Sequence, residues 1–111
     1  RCFKDYSGVI QIPFFFEDDM YLMQKTRPSI SDYLEKYDAP LVFNFHPIHL
    51  FLNSEDLSRY ERSKKFYHQY SQLKENRNTT VYGIADFFRD LVAYAREKGY
   101  HFSKMKDGLW E

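Results

Sequence analysis

Two apolar runs divide the first half of the chain. Gly8-Val9-Ile10-Gln11-Ile12-Pro13-Phe14-Phe15-Phe16 is the first and Leu41-Val42-Phe43-Asn44-Phe45 the second. Both are apolar on successive positions, as strands covered on two faces are. Pro13 argues for an edge position, a bulge or an early end to pairing in the first strand. Pro47 cannot donate a ladder hydrogen bond, so the second strand stops near His46. Between the runs, Glu17-Asp18-Asp19 leads into a short helix over Met20-Tyr21-Leu22-Met23, and Thr26-Arg27-Pro28 breaks the chain. Ser29 then caps a second helix, with Asp32 completing a capping-box pattern and Ile30, Tyr33, Leu34 and Tyr37 forming one apolar stripe. Asp38-Ala39-Pro40 ends that helix. The order is strand, helix, strand, a unit that is usually parallel and right-handed.

The second half reads as helical. Pro47 to Asn53 is expected as a partly buried loop, with Ser54 capping a helix that turns Leu57, Tyr60, Tyr67, Tyr70 and Leu73 inward. Arg59, Glu61, Arg62, Lys64 and Lys65 crowd its other face and suit solvent better than a ligand. Thr79 or Thr80 is the expected cap of the last helix, whose stripe of Ile84, Phe87, Phe88, Leu91, Val92 and Ala95 is the cleanest in the chain. Gly99 closes it, after Arg96 and Lys98 at the negative end of the helix dipole. Tyr100 to Ser103 is expected as a short strand-like piece. The whole predicts an α/β fold of parallel strands alternating with helices.

Composition narrows the class. The chain has 111 residues, which suit a single domain. It opens on Arg1 and runs directly into Cys2-Phe3-Lys4, as the middle of a protein would. Sixteen basic and 16 acidic residues balance to zero, which disfavours a nucleic-acid surface. One cysteine excludes an intrachain disulfide and a four-cysteine zinc site. It suits a reducing compartment, so the expected location is cytoplasmic. No apolar run approaches the roughly 20 residues of a membrane span. Aromatic residues make up 20% of the chain. They build a core of large rings, and tyrosines among them also suit a carbohydrate groove.

Two clusters carry chemistry, and each follows an apolar strand. The Glu17-Asp18-Asp19 carboxylates are either a helix N-terminus or an acid–base or metal site. His46-Pro47-Ile48-His49 stands at the end of the second strand, where α/β folds place their chemistry. If the strands run parallel, a carboxylate beside an imidazole orients the ring and favours imidazolium, which makes a general acid. The alternatives are zinc held by His46, His49 and one carboxylate, and a hydrogen-bonded core histidine.

Leu41 to His49, with Gly83-Ile84-Ala85-Asp86-Phe87-Phe88-Arg89-Asp90-Leu91 and Glu97-Lys98-Gly99-Tyr100-His101-Phe102, resembles the C-terminal half of a polysaccharide deacetylase of the NodB-homology class, carbohydrate esterase family four. The resemblance covers about residues 8 to 103 and implies a distorted (β/α) barrel, of which residues 1–111 form one C-terminal part. It implies a hydrolase in which a divalent metal, usually zinc, activates a water against an N-acetyl carbonyl on a glycan. His46 matches the general acid that protonates the leaving amine. Asp18 or Asp19 matches the acidic residue that tunes it, and His49 and Glu17 are assigned to substrate binding. The family's metal ligands are an aspartate and two histidines on early strands, and no Asp-Asp with a following His-x-x-x-His precedes Gly8. The metal ligands are therefore expected outside this chain, in an N-terminal half of the barrel that acts as its partner. The rival reading is a non-catalytic α/β module that binds carbohydrate or a protein partner.

Overall fold

The computed structural model describes residues 3–4, 7–8, 10–11, 15–35 and 41–104. The first predicted strand is split. Ile10–Gln11 (β2) pairs antiparallel with Phe3–Lys4 (β1), whereas Phe16–Glu17 (β3) joins a different sheet. Pro13 lies outside the described residues. β3 pairs parallel with Phe43–Asn44 (β4), Phe16 opposite Phe43 and Glu17 opposite Asn44. The amides of Phe15 and Phe16 both donate to the Val42 carbonyl, at 2.8 and 3.2 Å. The crossover between these parallel strands carries the helices Asp18–Met23 (α1) and Ile30–Leu34 (α2).

α2 starts where the sequence predicts. The Ser29 hydroxyl accepts from the Asp32 amide at 3.2 Å, and the Asp32 carboxylate accepts from the Ser29 amide at 2.9 Å, a reciprocal cap. Tyr37 and Asp38-Ala39-Pro40 lie outside the described residues.

Residues Pro47–Leu52 form a helix (α3), which corrects the expected loop. Proline ends a strand because it lacks an amide hydrogen, and for that same reason it is favoured in the first turn of a helix. Pro47 does both, with His46 in extended conformation as the preceding cap residue. α3 ends at Asn53, whose φ of 51° is left-handed.

The next helix is not capped by Ser54. Leu57–Ser63 (α4) is capped by Asp56, whose carboxylate accepts from the Arg59 amide at 3.1 Å. The single helix expected through Leu73 is broken by a 3-10 turn at Lys64–Phe66 and resumes at Tyr70–Glu75 (α5). Tyr67 and Tyr70 are exposed rather than inward, while Leu73 is buried. The last helix is Ile84–Glu97 (α6), preceded by Gly83 rather than by Thr79 or Thr80. It closes as predicted at Gly99, φ 82°, with the Tyr100 amide reaching back to the Ala95 carbonyl at 2.9 Å. Tyr100 to Ser103 forms no strand.

α6 packs on α3 and α2 and buries Ile84, Phe87, Leu91 and Ala95 in one core with Phe16, Tyr21, Leu22 and Leu34. Phe16 is the hub: its ring stacks on Phe87 at 5.2 Å and meets Tyr21, Tyr33, Phe43 and Phe45. Such ring clusters explain the aromatic content, since each buried ring carries a large apolar area. Truncating Phe87 to alanine removes the ring stacked on this hub, a loss of about 3–5 kcal/mol. The described residues thus form a helix-rich mixed α/β fold around a small parallel sheet.

Candidate active site

The parallel pairing decides where the chemistry sits. Because β3 and β4 run the same way, Asp18 and His46, both just past their strands, emerge at one end of the sheet. Asp18 is fully buried at the start of α1. One carboxylate oxygen accepts from the backbone amide of His46 at 2.7 Å, and the other lies 2.6 Å from Nδ1 of the His46 ring. An ionised carboxylate only accepts, so Nδ1 carries hydrogen. The hydrogen bond to Asp18 is the main reason the His46 pKa is raised above 6.5, with the charges of Asp18, Asp19 and Glu17 adding to it and burial opposing it. The His46 side chain is 41% exposed, and Nε2 has no partner among the described residues.

His49 lies one helical turn further on and is buried to 2%. Its Nε2 is 2.7 Å from Asp19 Oδ1, and its Nδ1 is 2.9 Å from the hydroxyl of Ser54, itself fully buried. The ring meets those of Tyr60 and His46 in T-shaped contacts, with centroids 5.5 and 6.0 Å apart. Asp19 is half-exposed, and its second oxygen is 4.0 Å from His46 Nδ1. Glu17 stands at the rim, where its carboxylate accepts from the Asn44 side-chain amide at 3.4 Å.

All five predicted site residues, Glu17, Asp18, Asp19, His46 and His49, therefore meet at one end of the parallel pair. His46 faces outward and His49 inward. Sequence patterning missed two members. Ser54 was expected to cap a helix, and nothing local marks it as a partner of His49 five residues earlier. Asn44 sits in the second strand with no signal of its contact to Glu17.

One ligand atom each from Asp18, Asp19 and His49 lie within 4.8 Å of one another. Two carboxylates and an imidazole are a donor set that suits zinc, manganese or iron as divalent ions. The expectation of no metal ligands in this chain rested on the absence of an upstream Asp-Asp and His-x-x-x-His. The fold assembles a candidate set from residues about thirty apart in sequence, Asp19 and His49 among them.

The sequence model of a family described as "WbmS-like: Polysaccharide deacetylase" matches residues 1–64, the segment that carries all of these side chains. No curated protein sequence gives a significant match. Among solved structures, the chain is similar to a Bordetella bronchiseptica protein assigned as a polysaccharide deacetylase involved in O-antigen biosynthesis, with 31% identity and a TM-score of 0.71. That alignment covers 85% of this chain and 39% of the Bordetella protein, so this chain spans about two fifths of its length. With more than half of its residues inside the family match, the chain belongs to the WbmS-like polysaccharide deacetylases.

Proposed function

We propose that the chain is part of a metal-dependent hydrolase that removes N-acetyl groups from a sugar or glycan, with His46 as general acid. The observation that carries this is the Asp18–His46 pair at the exposed mouth of a parallel strand pair. The fixed Nδ1 bond to Asp18 leaves Nε2 as the atom that presents a proton outward from the exposed ring. A raised pKa keeps that proton available near neutral pH, as protonation of a leaving amine requires.

Asp18, Asp19 and His49 are the residues that would hold the cation. Each carboxylate oxygen has a second lone pair, so the bonds to His46 do not use up the donors of Asp18. A divalent cation held there supplies Lewis-acid activation of water against an N-acetyl carbonyl. The burial of His49 supports a place in this cluster over the sugar contact expected from the sequence, with Glu17 and Asn44 at the rim for substrate hydroxyls. The parallel β3–β4 unit and the likeness to the Bordetella protein support a partial (β/α) barrel, with the remaining strands supplied elsewhere in a longer protein.

The test is acetate release from N-acetylated glycans by the full-length protein that contains this chain. His46→Ala should lower turnover by about 10²–10⁴, the usual contribution of a positioned acid. Turnover equal to wild type would remove His46 from the mechanism.

A further inference from the structure

Ser54 is a fully buried member of the cluster that the general-acid role, the cation set and the rim all leave unused. Its position is nevertheless tightly held. The left-handed turn at Asn53 folds the chain back so that the Ser54 amide donates to the His49 carbonyl at 3.1 Å. The Ser54 carbonyl accepts from the Ile84 amide at 2.8 Å, which ties it to the start of α6. The Asn53 side chain bonds both α6 and Asn78, so the turn is fixed from two sides. The hydroxyl is thereby delivered 2.9 Å from Nδ1 of a ring with almost no solvent access.

The two ends of that ring make opposite demands. Beside the Asp19 carboxylate, which only accepts, Nε2 must carry hydrogen, and a neutral ring then needs a donor at Nδ1. Facing a cation, Nε2 must present its lone pair, and Nδ1 then carries the hydrogen and needs an acceptor. A backbone carbonyl or carboxylate serves only the second state, and an amide N–H only the first. A hydroxyl does both by rotating.

We propose that Ser54 is a positioning residue for cation capture, donating to His49 Nδ1 in the free protein and accepting from Nδ1–H when Nε2 faces a divalent cation. The proton count of the ring is unchanged: one proton leaves Nε2 and one arrives at Nδ1. The proposal rests on Asp18, Asp19 and His49 being the cation-binding set.

Two measurements on the full chain test it. Nitrogen-15 histidine spectra, recorded above the imidazolium range, should show the His49 ring as the Nε2–H tautomer without metal. Added zinc should convert it to Nδ1–H. Zinc titration should show Ser54→Ala binding about 10–100-fold more weakly than wild type, the usual cost of losing a ligand's outer partner. An Nδ1–H ring in the metal-free protein, or equal zinc affinity in S54A and wild type, overturns the role of Ser54 and leaves the cation set standing. Absence of zinc uptake by wild type overturns the cation set, and the proposal with it. Should S54A not fold, the wild-type spectra decide.

Discussion

Two polar clusters lie close together in this fold, and they are satisfied in different ways. The first is the Asp18–Asp19–His46–His49–Ser54 group at the strand ends. The second is a clamp of Asn53, Asn78, Gly83 and Asp86 at the start of α6. In the clamp, partners are mostly backbone. Asn78 spans Asn53 and Val81 with its amide, at 2.9 and 2.8 Å, and accepts from the Thr80 and Val81 amides, both at 3.1 Å. Asn53 accepts from the Ala85 and Asp86 amides at 2.9 and 3.3 Å and so caps α6 from another part of the chain, since Gly83 has no side chain to do it. Asp86 closes the box on the Gly83 amide at 2.9 Å. In the first cluster, by contrast, the partners are mainly other titratable side chains, and one ring nitrogen is left facing out. Backbone partners lock a geometry at little chemical cost, because the backbone group itself does not change protonation. Side-chain partners leave protons that can move. The clamp is therefore structural and the strand-end cluster chemical, and the two meet at Asn53–Ser54.

Between the two clusters, the larger expected effect on stability is on the clamp. A Cβ at position 83 would overlap the Asn53 carbonyl and side-chain oxygens, both held in place. Gly83→Ala should lose about 3 kcal/mol, the upper end for overpacking, and a denaturation midpoint equal to wild type would show that the clamp is not closed in this way. Asn53→Ala should come next, at about 2 kcal/mol, because it removes a cap and leaves amides of α6 unpaired. Unlike Gly83→Ala, it also puts a residue with a β-carbon and no side-chain amide at a left-handed φ. If N53A unfolds no more easily than wild type, α6 does not depend on this cap.

pH separates the clusters by sign. Asp86 has a pKa below 3.8, held down first by the Gly83 amide and then by Asn53 and Arg89. Its contribution is present above 3.8 and lost as pH falls through the lowered folded value. His46 has a pKa above 6.5, so its contribution is present below 6.5 and lost as pH rises through the raised folded value. Asp86→Asn should thus flatten the acid limb of stability, and Asp18→Asn should bring the His46 titration, followed by NMR, back down. A His46 midpoint unmoved in D18N would break the assignment of Asp18 as its partner. The smallest effect is expected at the Lys64–Glu61 pair, 3.3 Å apart with both side chains more than half exposed. Lys64→Ala should change stability by less than about 0.5 kcal/mol, and a larger loss in thermal unfolding would mean α4 is held by its surface charges.

How much of this was legible in the sequence depends on the range of the interaction. The Ser29–Asp32 cap, the α6 stripe apart from the exposed Phe88, and the Gly99 stop were readable because each is set within a few residues. The parallel strand–helix–strand order was readable from pattern length. α3 was misread because Pro47 carries the same signal for a strand end and a helix start. The helix expected over residues 54–73 failed because Tyr67 and Tyr70 fitted a stripe but found no core to face. An apolar body with a polar tip tolerates either side. No membrane-crossing helix is present among the described residues, in keeping with the absence of a long apolar run.

Acidic residues after one strand and histidines after the next were a matter of sequence alone, as was their placement at strand ends, since apolar runs and proline act locally. Which oxygen meets which nitrogen was decided by the fold. The bonds of Asp18 to His46 and of Asp19 to His49 cross 28 and 30 residues, and those of Asn53 to α6 cross 32 and 33. Such pairs depend on the register of Phe16 against Phe43 and on the angle at which α3 leaves the sheet. A shift of one residue in that register would turn every side chain to the other face, and no local pattern records it.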